Sequence, residues 1–183
     1  SLLNNNYIVN KVKIEISPLA GWEPNESRLL DSYIAMTYPN LFDESKYFVK
    51  VTTPDRTFVE KIFILHREAK RKNWSNIRYS RHYYDVYKMY KEYYKEDLST
   101  IDEKIYDKVR NFNESYYYQS WAKYHEAKKG SFRLIPNQNY LNSLKKDFTQ
   151  MKDMIYNEDK LLSFDDIIEV IQKIENELNK IKT

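Results

Sequence analysis

The chain has 183 residues, enough for one well-formed domain and short for two. Its 30 Lys and Arg against 27 Asp and Glu leave a formal charge of +3, too small a surplus to argue for nucleic acid by itself. Without Cys there is no disulfide or thiolate metal site, and no apolar run approaches the ~18 residues of a membrane span.

Tyr is abundant at 18 residues, which predicts a core with aromatic edges whose hydroxyls stay wet or bonded. Only 2 Gly and 5 Pro occur, so long helices with few tight turns are expected. The N-terminus lacks a basic segment followed by an apolar stretch; no secretory signal is read, and a cytoplasmic protein is expected.

Taken in chain order, Lys11-Val-Lys-Ile-Glu-Ile16 alternates polar and apolar residues and predicts a strand, with Val12, Ile14 and Ile16 on one face. Ser17-Pro18 ends it, and Gly21-Trp-Glu-Pro24 reads as a loop. The pattern at 26–36 fits a short helix or an extended connection, and Tyr47–Val51 reads as a second strand. Thr53, Pro54 and Asp55 form a helix start: a capping side chain, a first-turn proline and an acid near the free N–H groups. Phe58, Ile62, Leu65 and Ala69 then repeat at helical spacing.

A second helix is expected over about 80–95, with Tyr83, Val86, Tyr87, Tyr90 and Tyr94 on its apolar side. Thr100-Ile-Asp-Glu103 has the form of a capping box opening a helix that carries Ile101, Ile105, Val109 and Phe112. Tyr116–Lys129 is expected to be helical until Gly130, with Pro136 holding the next segment extended or turned. Leu141, Leu144, Phe148, Met151 and Ile155 form another stripe. The last helix opens at Ser163-Phe-Asp-Asp166 and buries Ile167, Ile168, Ile171, Ile174 and Leu178. Two strands cannot close a sheet, so their edges are expected to need further strands from sequence outside this chain or from a partner.

Glu60-Lys61, His66 and Arg67 lie on the first long helix, and Arg81, His82, Tyr84 and Asp85 on the next. Arg81 and Asp85 are four apart and can pair. Lys61 can reach phosphate oxygens, Asp85 can orient Lys61 or Arg81, and Arg81 can fork onto phosphate. The alternative is an internal charge network tying two helices together without a ligand. Glu15 is a carboxylate on a strand; without neighbouring acids it holds Mg²⁺ poorly. The three His form no zinc motif, and the two Gly make neither a dinucleotide fingerprint nor a P-loop. No metal ligands are therefore assigned.

The stretches Thr53–Arg67 and Ser80–Lys88 resemble the AbiEii/AbiGii family of nucleotidyltransferase toxins. The resemblance continues through Val12–Ile16, Trp121–Tyr124, Lys129–Pro136, Leu144–Phe148 and Met151–Ile155, in the family's order. It implies an α+β fold: short β elements from the edge of a nucleotidyltransferase-like sheet, followed by a mainly helical bundle. Residues 1–52 would be the remainder of the α/β core, and 53–183 a helical region packed with it as one unit. It implies Lys61, Asp85 and Glu15 as catalytic residues, and Glu60, Arg67, Arg81, His82 and Tyr84 as substrate-binding residues. Mg²⁺ and NTP are implied for an intact enzyme, with neither held tightly by this chain. A cognate antitoxin and an RNA or protein acceptor of the transferred nucleotide are the implied partners. The family's turn with its Asp-x-Asp metal pair has no counterpart in the 183 residues, so catalysis by this chain alone is not expected. A non-catalytic module binding protein or RNA is the alternative.

Overall fold

The computed structural model describes residues 14, 16, 21, 23–72, 78–155 and 161–180. A two-stranded antiparallel ribbon leads into a bundle of helices, an α+β arrangement as expected. Strand β1 (Asn25–Asp31) pairs with β2 (Lys46–Thr52), setting Leu29 opposite Phe48 and Leu30 opposite Tyr47. Opposed residues share a face, so both faces of the ribbon carry apolar side chains. The connection between the strands holds a five-residue helix, α1 (Tyr33–Thr37), capped by the Ser32 hydroxyl, and a 3₁₀ turn at Pro39–Leu41. The ambiguous 26–36 stretch is thus strand and then helix. Of the strand expected at 11–16, only Ile14 and Ile16 are described; both are exposed and neither is in a strand.

Helix α2 (Pro54–Lys70) follows β2 with only Thr53 between them, and the Thr53 hydroxyl accepts from Arg56 N. Helix α3 (Ser80–Lys88) continues as a π-helical turn at Met89–Tyr93, then α4 (Glu103–Tyr116), α5 (Gln138–Met151) and α6 (Phe164–Asn179) complete the bundle. Helix α2 packs against α3 and α4, and α3 packs against α5 and α6. Their stripes meet in one aromatic-rich core, with Phe63 edge-on to Phe132 and Phe148 against Phe164. The Ser163–Asp166 capping box forms as the sequence predicts.

Two expectations fail. Asp102, not Thr100, caps α4, its carboxylate accepting from Lys104 N. Ile101 is buried ahead of the helix start, which sets the entry angle and leaves the cap to the next polar residue. Residues 117–129 are turns around a 3₁₀ segment at Tyr124–Glu126 rather than helix. Tyr116, Tyr117 and Tyr118 are all exposed, so that stretch has no continuous apolar stripe to bury as a helix.

Candidate nucleotide-binding site on helices α2 and α3

The apolar stripe of α2 (Phe58, Ile62, Leu65) faces the core, which turns Glu60, Lys61, Ile64 and Arg67 toward its less buried side. The start of α3 is fixed from another helix. Tyr79 makes no side-chain cap, and Asp147 of α5 accepts instead from Arg78 N at 2.7 Å, Ser80 N at 2.9 Å and the Ser80 hydroxyl at 2.5 Å. This carboxylate satisfies the first amide of the helix and the amide just ahead of its N-cap, and so sets the direction of Arg81, His82, Tyr84 and Asp85.

Lys61 Nζ donates to Asp85 Oδ2 at 2.6 Å across the α2–α3 junction, with side chains 22% and 39% exposed. Among the described residues, the ion-pair partner of Asp85 is therefore Lys61, and the local pairing with Arg81 is not made. A carboxylate already paired with an ammonium from the neighbouring helix gains little more from an exposed arginine on its own helix. Arg81, Tyr84 and Asp85 line a cleft of about 240 Å³ floored by Met151 and Ile155.

His82 sits behind this pair with a buried Nδ1 that has no hydrogen-bond partner. Its pKa is lowered to about 3, by burial first and then by the charges of Lys61, Arg81 and Arg67. The imidazole is thus neutral at physiological pH, and the positive potential of the site comes from the lysine and the two arginines.

Glu60 faces a second cleft. Its Oε1 accepts from Arg56 Nε at 2.7 Å, and Arg56 is only 3% exposed. The same guanidinium donates to Glu23 O at 2.9 Å and stands 5.8 Å from the centre of the Phe112 ring. A Cβ on Gly21 would lie 2.2 Å from Arg56 Nη2, so a larger residue there would have to displace the buried guanidinium. Glu60, Ile64 and Arg67 line this cleft of about 380 Å³ with Phe112, Asn113 and Tyr117 of the α4 end. Arg67 is held by Glu68 at 3.1 Å and by the Tyr79 hydroxyl at 3.4 Å.

The structure thus brings together Lys61, Asp85, Arg81, His82 and Tyr84, and places Glu60 and Arg67 on the adjoining flank of α2. Glu15 lies outside the described residues. Arg56, Glu68 and Asp147 position the site and were not singled out from sequence. Arg56 stands four residues before Glu60, a spacing that could have marked it. Asp147 is 67 residues from Ser80, so nothing local could have revealed its role.

Mg²⁺ needs several oxygen ligands, chiefly carboxylates and water. Among the described residues no group of three or more His, Cys, Asp or Glu is placed to hold a metal ion, so these residues do not fit it.

The model of the family described as "Nucleotidyl transferase AbiEii toxin, Type IV TA system" matches residues 2–170. The chain belongs to the AbiEii family. No curated protein and no solved structure matched it. AbiEii membership makes this a nucleotidyltransferase-family chain in which the Asp-x-Asp metal pair is absent from all 183 residues. Among the described residues, no helix is long and apolar enough to cross a membrane.

Proposed function

We propose that this chain is the C-terminal, phosphate-gripping part of an AbiEii-type nucleotidyltransferase that moves a nucleotide from an NTP to an RNA or protein acceptor. The observation that carries the reading is the Lys61–Asp85 pair, part-exposed between α2 and α3 and flanked by two more cations. Lys61 neutralises phosphate charge, and Asp85 positions its ammonium. Arg81 forks onto phosphate oxygens, and Tyr84 and neutral His82 bound the site. Glu60 and Arg67 serve the substrate from the neighbouring flank.

On this reading residues 1–52 are the remainder of the nucleotidyltransferase core, with Glu15 as one of its acids, and 53–183 form the helical region packed against it. The metal-binding acids come from elsewhere, so the chain alone binds nucleotide and does not turn it over. A cytoplasmic setting, an RNA or protein acceptor and a cognate antitoxin belong to the same reading.

Calorimetric titration of the chain with tripolyphosphate and with NTP tests it. Lys61→Ala is expected to weaken both by about tenfold, the worth of one charge-assisted contact. Lys70→Ala, which removes a lysine paired with Glu126, is expected to change neither. Equal affinity in Lys61→Ala and the unaltered chain sinks the phosphate role.

A second reading, a non-catalytic module binding protein or RNA, is favoured by the ribbon, where Phe48 is 76% exposed and Leu29 52%. It becomes the better account if neither tripolyphosphate nor NTP binds.

A further inference from the structure

The cleft between α2 and α4 has a composition unlike that of the Lys61–Asp85 face. One wall is aromatic. Phe112 lies 5.0 Å from the Tyr116 ring and 5.8 Å from the Tyr117 ring, and Tyr117 is 43% exposed although it borders the cleft. The opposite wall carries one fixed acceptor and one fixed donor, Glu60 and Arg67. Asn113 closes the end; one of its amide N–H groups donates to Val109 O at 2.9 Å, which leaves its oxygen and second N–H for a ligand.

The support beneath Glu60 explains why these groups are precise. Arg56 is buried, hydrogen-bonded to Glu60 and Glu23 O, and packed against Gly21 on one side and near Phe112 on the other. Its hydrogen bond keeps Glu60 aimed. The carboxylate remains 38% exposed in the cleft that Phe112 and Tyr117 also line. A flat ring that stacks on tyrosine while its edge meets a carboxylate and a guanidinium has the chemistry of a nucleobase. The volume of about 380 Å³ accommodates one base with its sugar.

We propose that the α2–α4 cleft is a nucleobase subsite, in which the base stacks on Tyr117, whose ring is backed by Phe112, while Glu60 and Arg67 read its edge. It rests on the nucleotide reading above for its setting. Glu60 and Lys61 are consecutive on α2, roughly 100° apart around the helix, so base and phosphate would occupy adjoining flanks of one element. The base can belong to the NTP or to an unpaired acceptor nucleotide; the recognition chemistry is the same.

The test uses free nucleosides, which carry no phosphate, and saturation-transfer NMR on the whole chain. Nucleosides are expected to bind, and Tyr117→Ala to weaken them by about tenfold, the usual worth of one stacked base. Tyr117→Phe, which retains the ring, is expected to restore binding. Tripolyphosphate affinity should be the same in Tyr117→Ala as in the unaltered chain, which also shows that the variant is folded. Glu60→Gln is expected to change the order of preference among the four nucleosides. Absence of nucleoside binding, or equal binding by Tyr117→Ala, overturns the proposal. Displacement of the nucleoside by NTP assigns the subsite to the NTP base, and displacement by a single-stranded tetranucleotide assigns it to the acceptor; either result supports a base subsite. If nucleosides bind and tripolyphosphate does not, the phosphate role of Lys61 falls while the base cleft stands.

Discussion

The ribbon of β1 and β2 and the bundle of α2–α6 have similar appetites for apolar side chains and satisfy them very differently. In the bundle, Phe58, Val59, Ile62 and Leu65 of α2 are wholly enclosed. In the ribbon and α1, Leu30, Tyr33, Ile34, Met36, Tyr47 and Phe48 remain exposed. A helix supplies all its interior hydrogen bonds and needs only one neighbour to cover its apolar stripe, whereas two strands leave two open edges and two uncovered faces. The bundle therefore closes on itself and the ribbon does not. Stability should reside almost entirely in the bundle.

The strongest way to break that contrast is to remove its buried charge hub. Glu68 is fully buried, paired with Arg71 at 2.8 Å and Arg67 at 3.1 Å, and accepts from the Tyr140 hydroxyl at 2.8 Å. Glu68→Ala removes the buried acceptor shared by two guanidinium groups and the Tyr140 hydroxyl, and should cost about 3–5 kcal/mol in urea unfolding. Leu144→Ala, in the wholly apolar part of the same core, should cost about 2–5 kcal/mol with no change in denaturant slope.

Acid should act on the bundle too. Burial, followed by nearby cations, lowers His66 to about 4 and His82 to about 3 from an ordinary 6.5. The unfolded chain then binds protons that the folded chain excludes, so these groups reduce stability as pH falls below 6.5, down to about 4 and 3. Melting temperatures at pH 7 and pH 5 should show the drop, and His66→Asn should lessen it. Ser163→Ala, which deletes the α6 capping hydroxyl, should cost about 1 kcal/mol. Smallest of all, Phe48→Ser in the ribbon should shift unfolding by less than about 0.5 kcal/mol. A large loss there would show that the ribbon's apolar faces are covered in solution.

Legibility from sequence followed the range of the interactions. The start of α2, the second strand and the box of α6 are written in neighbouring residues, so Thr53-Pro54-Asp55, Tyr47–Val51 and Ser163–Asp166 could be read directly. The turn region after α4 could not, because three successive tyrosines resemble a buried helical stripe until their exposure is known. The helices that carry Lys61 and Asp85 allow the two to meet, but by spacing alone the local pair of Asp85 with Arg81 has equal standing. Arg56 beneath Glu60 and Asp147 beneath Ser80 depend on which helices and loops become neighbours, and only the fold supplies that.

The extended run 131–137 has a consequence of its own. Among the described residues no strand lies beside it in a sheet, and the amides of 132–135 are met by side chains instead. Arg133 N donates to His66 Nδ1 at 3.1 Å, Phe132 N to Asn179 Oδ1 at 2.8 Å, and Leu134 N to Glu175 Oε2 at 2.5 Å. A β-ladder offers the same pattern of partners at every second residue, so it tolerates a slipped alignment. Here Arg133 and Phe132 each meet their own acceptor, on α2 and α6, while Leu134 N and Ile135 N share the one Glu175 oxygen, and a shift by one residue would break this matching. The segment is keyed like a cut lock rather than fastened like a zip, and its alignment is the part of this molecule least able to be approximately right.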